Sequence, residues 1–435
     1  MATSVESGRL VRFQPLNIGR WFVWSLTALL FAVAPLVFRS GFAITLLSQM
    51  GMLIIFALSY NMIFGQGGML SFGHAVYSGL GAFFAIHAMN WIGAGTLPLP
   101  ISLVPLVGGV FGAVFGVLFG YVTTKKAGTP FAMITLGIGE MVFAASLMFP
   151  GFFGGEGGIS SDRVAGQPFL GITYGPAIQV YYLIAAWCFA SMVAMFAFSH
   201  TPLGRISNAV RDNPERAEFV GYNTQRVRYL VLIVSAFFAG ISGGLAAINF
   251  EIVSAENVSA ARSGAVLLAA FIGGAMFFFG PIIGSVIFVL FAVALSEWTK
   301  AWQFYLGVFF VLMVMYAPGG VASLILMNLR VMKYRLFGRL RDPYVGVTLT
   351  GLVLLVGVIL VVEMSYHLTL NFAAGSKTTI FGFSMDGADP GFWVMAIGVL
   401  LAGALSFEAM RRYFAREWGA VQEQIEDQIR REQRG

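Results

Sequence analysis

Apolar runs dominate this chain and leave it few folds. They cover roughly residues 21–38, 42–64, 72–92, 101–122, 130–149, 179–199, 229–250, 263–279, 281–297, 303–326, 344–362 and 391–409, separated by glycine, proline or charge. Each is about 20 residues long, the length of helix that crosses a hydrocarbon layer of about 30 Å. Of the 435 residues, 58% are hydrophobic and 11% charged, so a water-soluble fold and a large soluble domain are both excluded. Long unbroken runs also exclude a β-barrel, whose strands alternate. The expected fold class is an all-α polytopic membrane protein with about 12 membrane segments.

The net charge of +6 could suggest nucleic acid, but the basic residues sort by loop instead. With a cytoplasmic N-terminus, the inside loops collect 21 of the 26: Arg9, Arg12 and Arg20, Lys125 and Lys126, five from Arg205 to Arg228, five from Arg330 to Arg341, and six from Arg411 to Arg434. Arg39, Arg163, Arg262, Lys300 and Lys377 fall outside. That asymmetry follows the positive-inside rule, places both termini in the cytoplasm and leaves no nucleic-acid partner. The first run contains Ala32-Val33-Ala34, a small-x-small pattern, but Pro35 follows it, so it reads as an uncleaved anchor. One cysteine, Cys188, and four histidines without metal-ligand spacing imply no metal site and no thiol chemistry.

Several runs are poor helices. Gly65-Gln66-Gly67-Gly68-Met69-Leu70-Ser71-Phe72-Gly73-His74 has four glycines in nine residues, and a second break, Gly273-Gly274 to Gly280-Pro281, lies further on. Irregular backbone at membrane depth survives only where protein or water satisfies it, and paired interruptions in a transporter point to its pathway. Chance in so glycine-rich a chain explains the pairing equally well. Glu140 sits near the middle of its run, where a carboxylate is expensive and is expected to face the bundle interior or water. Its readings are a pathway or gating group, or a protonated side chain in a structural hydrogen bond. His74 reads equally as a solute contact or a cap on freed carbonyls, and His87 as a packing residue.

Residues 200–228 form the one long polar inside loop between the early spans. Asn213 has the character of an N-cap, Pro214 of a first helical residue and Glu215 of an acid at the positive helix end. Gly221 can close the helix in the left-handed conformation. Pro214 to Val220 is then about two turns, roughly 10 Å, outside the membrane. A solvated loop helix and a plug for another protein both fit.

The motifs together resemble the M-type permease subunit of ABC importers for branched-chain amino acids and related small polar solutes, from about residue 45 to 326. They are the Gly65 to Ala75 segment, Ile134-Thr135-Leu136-Gly137-Ile138-Gly139-Glu140, Gly154-Gly155-Glu156-Gly157-Gly158, Ala209 to Glu218, Gly273-Gly274 with Gly280-Pro281, and Ala317-Pro318-Gly319-Gly320. The resemblance implies that Arg211, Asp212, Asn213, Pro214, Glu215, Ala217, Gly221 and Asn223 form the helix coupled to an ATPase. It also implies that Gly67, Gly68, Ser71, His74, Thr135, Glu140, Gly273 and Gly274 belong to the translocation pathway. The implied partners are a second permease, two ATPase subunits and an external solute-binding protein, in a bacterial inner membrane. No cofactor is expected on this chain, and ATP is expected on the partners, because no lysine follows a glycine and the Walker A pattern is absent.

The sequence departs from the family at Ala275-Met276-Phe277-Phe278-Phe279, which is bulkier and less polar, and in residues 343–435, which add two spans and a tail. The expected layout is an N-terminal segment 1–20, a permease core 21–326 of about ten spans with the coupling loop 200–228, a basic linker 327–343, added spans 344–409 and an amphipathic tail 410–435. In the tail, Phe414, Trp418, Val421, Ile425 and Ile429 form a helical stripe suited to a membrane surface or a partner. Gly240-Ile241-Ser242-Gly243-Gly244 satisfies G-x-S-x-G, but a serine nucleophile needs a base, and close helix packing explains the small residues. A proton-coupled secondary transporter with a Glu140–His74 relay is the alternative.

Overall fold

The computed structural model describes residues 18–166, 171–334, 336–370, 376–380 and 382–434, so most of the expected N-terminal segment lies outside the described residues. The described residues are mainly helical, as expected, and the chain forms two compact units, Met1–Ser263 and Gly264–Gly435.

In the first unit the helices are α1 (Ile18–Val37), α2 (Gly41–Ile63), α3 (Ala75–Gly93), α4 (Val104–Thr123), α5 (Thr129–Met148), the single turn α6 (Pro150–Phe153), α7 (Ala177–His200), α8 (Pro202–Asp212), α9 (Pro214–Phe219) and α10 (Thr224–Phe250). Helix α10 is the hub and packs on α4, α3 and α2. Glycine makes this possible: a Cβ on Gly240 would lie 2.1 Å from the Gly108 carbonyl oxygen, and one on Gly243 would lie 1.8 Å from that of Ser78. Lipid tails are as apolar as side chains, so helices in a bilayer associate through such backbone-close packing and interhelical hydrogen bonds. Both are present, because Ser235 Oγ donates to the Ser59 carbonyl at 2.6 Å and Ser242 Oγ to that of Met52 at 2.8 Å. The G-x-S-x-G pattern is thus a packed helix face.

At the far end of α10, strand β1 (Ile159–Ser160) pairs antiparallel with β2 (Ile252–Val253). Arg163 fastens this end by donating to the carbonyls of Tyr174 (2.8 Å), Asn249 (3.2 Å) and Gly175 (3.2 Å). The chain after β2 then turns back along α3. Asn257 and Val258 press on the Gly79 backbone, about 21 Å along α3 from its end at Gly93. This irregular stretch is held by protein, with Ala255 and Val258 buried.

From there α11 (Ala260–Gly273) leads into the second unit, which contains α12 (Gly280–Val289), α13 (Trp302–Tyr316), α14 (Gly320–Lys333), α15 (Phe337–Leu370) and α16 (Pro390–Arg434), with β3 (Lys377–Ile380) paired to β4 (Phe383–Asp386). Helices α15 and α16 form an antiparallel pair in which Gly346 faces Met410, Gly351 faces Phe407 and Gly357 faces Leu400. Glu363 of α15 accepts from Thr299 Oγ1 at 2.6 Å and from the Tyr305 hydroxyl at 2.9 Å, tying the added pair to the rest of its unit.

By length and apolarity, eight helices can cross a membrane among the described residues, or nine if α13 and α14, bent by 49° at Ala317-Pro318-Gly319, count as one span. Of the twelve expected segments, 21–38 and 263–279 form shorter apolar helices, the latter ending at Gly273. Segment 72–92 begins its helix only at Ala75, and its His87 and Asn90 dilute its apolar character. The added span and the tail are one continuous helix, α16.

The tail's apolar stripe lies neither bare nor reserved for an outside surface. Val421 and Ile425, both fully buried, pack with Trp418 and Ile429 against Val331, Leu340, Tyr334 and Tyr344, and Arg339 pairs with Glu417 at 2.9 Å. Local periodicity reveals an apolar face but not its occupant, which here is the chain's own basic linker. Val421→Asp places an unpaired charge in this cluster at a cost of several kcal/mol. The expected result is a detached tail, seen as new protease cleavage between residues 411 and 434 with an intact membrane core; unchanged protection would disprove the packing.

Candidate functional site

The site is built around α9. Asn213 is its N-cap, with Oδ1 accepting from Arg216 N at 2.9 Å, Pro214 is its first residue, and Gly221 (φ 95°) closes it. A second cap follows at once, Asn223 Oδ1 accepting from Arg226 N at 2.9 Å to start α10. Ala217 is buried with Val210 of α8 and Val227 of α10, while Phe219 and Val220 beside it are 91% and 71% exposed. The helix therefore has one face fixed to the protein and an apolar tip in the open.

Residues Pro202 to Asp212, read from the sequence only as loop, form α8. Its signal was present: Thr201 caps it by accepting from Gly204 N at 3.2 Å, and Pro202 is its first residue. Arg211 and Asp212 consequently end α8 and are not part of α9. Arg211 turns inward and donates to the Gly65 carbonyl, and Ser207 Oγ donates to that of Gln66 at 3.3 Å. These are carbonyls that the first glycine break leaves free, so the break and α8 are bonded directly.

The break itself is a closed piece of structure. Gly68 N bonds the Phe64 carbonyl at 2.9 Å and Met69 N that of Ile63 at 3.0 Å, around Gly68 in the left-handed region (φ 67°). A Cβ on Gly68 would also strike Arg211 Cγ at 2.6 Å. On its other side Phe72 N donates to Thr135 Oγ1 at 3.2 Å, Ala75 N to Ser263 Oγ at 3.0 Å, and a Cβ on Gly73 would lie 2.1 Å from the Thr135 carbonyl. Ser59 gives its hydrogen to the Phe56 carbonyl (2.7 Å), which leaves its oxygen to accept from His74 Nε2 at 3.0 Å. His74 is fully buried, stacked 5.4 Å from Phe56, and caps no carbonyl.

Gly67, Ser71, His74 and Thr135 are thus brought together, packed inside the protein. Glu140 is not with them. Thr135, Gly139 and Val142 form the buried face of α5, whereas Glu140 lies exposed with Met133 and Met141, outside the packed interior of its unit. Helical geometry is the reason, since residues 135 and 140 are about 140° apart around the axis. Glu140 makes no hydrogen bond or ion pair among the described residues, so the structural hydrogen bond is absent and no relay to His74 is formed. His87 is a packing residue, with Nε2 2.8 Å from the Phe152 carbonyl.

In the second unit, Gly273 and Gly274 meet another break. A Cβ on Gly274 (φ 106°) would lie 2.2 Å from the Gly319 carbonyl oxygen, and one on Gly320 (φ 70°) 2.3 Å from Gly274 N. Within the second unit the contact is between 273–274 and 319–320, a meeting of breaks that the sequence did not suggest.

Sequence reasoning missed one residue altogether. Arg262, assigned to an outside loop, sits in the first turn of α11, its guanidinium 5.9 Å from the Phe56 ring centre. The cause is the turn back along α3 after β2, which no local pattern announces.

An apolar bundle with broken segments held by neighbouring helices, and a capped helix pair outside it, is the build of a polytopic permease. Residues 42–318 match the family described as "Branched-chain amino acid transport system / permease component", and the chain belongs to that family. It is 27% identical over 289 residues to the high-affinity branched-chain amino acid transport system permease protein LivM of Salmonella typhimurium, covering 62% of this chain and 67% of the relative. It is 26% identical over 290 residues to LivM of Escherichia coli, with the same coverage. The guanosine ABC transporter permease protein NupQ of Bacillus subtilis is 27% identical over 118 residues, 27% of this chain and 36% of the relative. No solved structure matches the chain. The protein is a multi-pass ABC permease, and the proton-coupled alternative gives way. The match stops at residue 318, so α14, α15 and α16 lie beyond it.

Proposed function

We propose that this chain is the translocation subunit of a bacterial inner-membrane importer for branched-chain amino acids or related small polar solutes. It pairs with a second permease, two ATPase subunits and an external solute-binding protein, and both its termini are cytoplasmic. The observation that carries the reading is α9: a capped helix fixed on one face by Ala217, with Phe219 and Val220 open at its tip. Such a tip suits an apolar groove on an ATPase. Its inner face leads through Val210 to α8, and through Arg211 and Ser207 to the first break. ATP binding on the partners would move this connected group and switch the access of the pathway. The pairing of β1 with β2, at the end of α10 opposite α9, supports an outside location for residues 150–166 and 251–253.

Reconstitution of the chain with its neighbouring permease, ATPases and binding protein tests this. The expected result is ATP-dependent uptake of a labelled small polar solute that requires the binding protein; uptake driven by a proton gradient without ATP would overturn it. The exposed, unpaired Glu140 is assigned to the pathway. Glu140→Gln keeps shape but removes charge, and is expected to lower uptake roughly tenfold or more, the scale of a lost charge-assisted bond, in an intact complex. Uptake at the wild-type rate would remove Glu140 from the pathway.

A further inference from the structure

A guanidinium at membrane depth is expensive and is retained where it has a partner or a task. The depth of Arg262 follows from two helices. Phe56, whose ring it overlies, is about 22 Å along α2 from Gly41 and about 10 Å from its other end at Ile63. Ser263, the next residue, holds the first amide of α3. Both place Arg262 well within a hydrocarbon layer of about 30 Å.

Its partners do not account for its charge. Among the described residues it has no acidic neighbour, Nη1 reaches Asn257 Oδ1 at 3.4 Å, and Nε is buried with no hydrogen-bond partner. Aromatic stacking leaves the edge of the fork free, and two parallel N–H groups on that edge match a carboxylate. The neighbouring chain is open: Ala261 is exposed, and a Cβ on Gly264 would meet nothing within 4 Å. Helix α5, which bears the unpaired Glu140, packs against the Ala255–Val258 segment, so an opposite charge sits on an adjoining element.

We infer that Arg262 is a solute-binding residue that receives the carboxylate of a small zwitterionic or acidic solute during its passage, and that it selects against neutral solutes. Phe56 holds the plane of the guanidinium. This rests on the importer reading and narrows its substrate class to carboxylate-bearing solutes.

The test uses the reconstituted importer with labelled leucine and labelled guanosine as probes. The wild type is expected to take up leucine and not guanosine, in an ATP-dependent manner. In Arg262→Gln, leucine uptake is expected to fall at least tenfold while ATPase co-purification and binding-protein-stimulated ATP hydrolysis stay near wild type. Arg262→Lys, which keeps the charge without the fork, is expected to fall between the two. Asn257→Ala removes the one hydrogen bond made by the Arg262 side chain within the described residues and is expected to preserve uptake. If Asn257→Ala loses uptake as Arg262→Gln does, or if Arg262→Gln transports leucine normally, Arg262 is structural and the inference fails. ATP-dependent uptake of guanosine instead of leucine also overturns it while leaving the importer reading intact. An absence of any ATP-dependent uptake by the wild type removes both.

Discussion

Ala217→Pro is expected to abolish ATPase co-purification and binding-protein-stimulated ATP hydrolysis while the permease still inserts and pairs. Ala217 is the fourth residue of α9, and its amide donates to the Asn213 carbonyl at 3.2 Å. Proline deletes that bond and clashes with the preceding turn, at about 3 kcal/mol. The α9 helix has only six residues, so little remains to hold its shape, and its exposed tip at Phe219 loses its orientation. Asn213→Ala, which removes only the cap, costs about 1 kcal/mol and is expected to give a partial loss of the same two readouts. Normal ATPase binding and stimulation in Ala217→Pro would remove the coupling assignment. A failure to insert would instead show that α9 is part of the folding core, contrary to its open position.

The second large effect is expected from one methyl group. In Gly73→Ala the new Cβ would lie 2.1 Å from the Thr135 carbonyl oxygen, so the break must separate from α5. That movement endangers the Phe72 to Thr135 and Ala75 to Ser263 bonds, and overpacking of this kind costs about 1–3 kcal/mol before those bonds are counted. The expected phenotype is a strongly lowered melting temperature in detergent and loss of the assembled transporter. Gly137→Ala on the facing helix is the control, because nothing lies within 4 Å of its Cβ. It is expected to leave stability unchanged or to raise it by up to about 1 kcal/mol through helix propensity. Equal behaviour of the two variants would disprove the close packing of the break on α5.

The contrast between these sites shows where legibility ended. Helix α9 was readable because its determinants are neighbours in sequence: Asn213, Pro214, Glu215 and Gly221 each act on the backbone within a few residues. The same grammar in Thr201-Pro202 announced α8, yet the charges around it suggested a loop. The glycine break was visible, but not that Arg211, 146 residues away, closes one of its carbonyls. The seven-residue spacing of Gly67 and His74 gave no sign that both are buried. For Glu140, hydropathy reported the cost of the charge but not the direction in which it points.

Sequence alone determined that this protein lies in a membrane as helices, that its backbone breaks at 65–74 and 273–280, and that a capped helix follows Asn213. These are properties of transfer energy, glycine entropy and local capping, and each is settled within a few turns of chain. Tertiary structure decided which surfaces those pieces meet. It set the 273–274 break against 319–320, wrapped the tail's apolar stripe onto the basic linker, and carried Arg262 from an apparent loop to membrane depth beside Phe56. The physical reason is that close packing between helices depends on which backbones approach within contact distance, and residues far apart in sequence carry no local record of that approach.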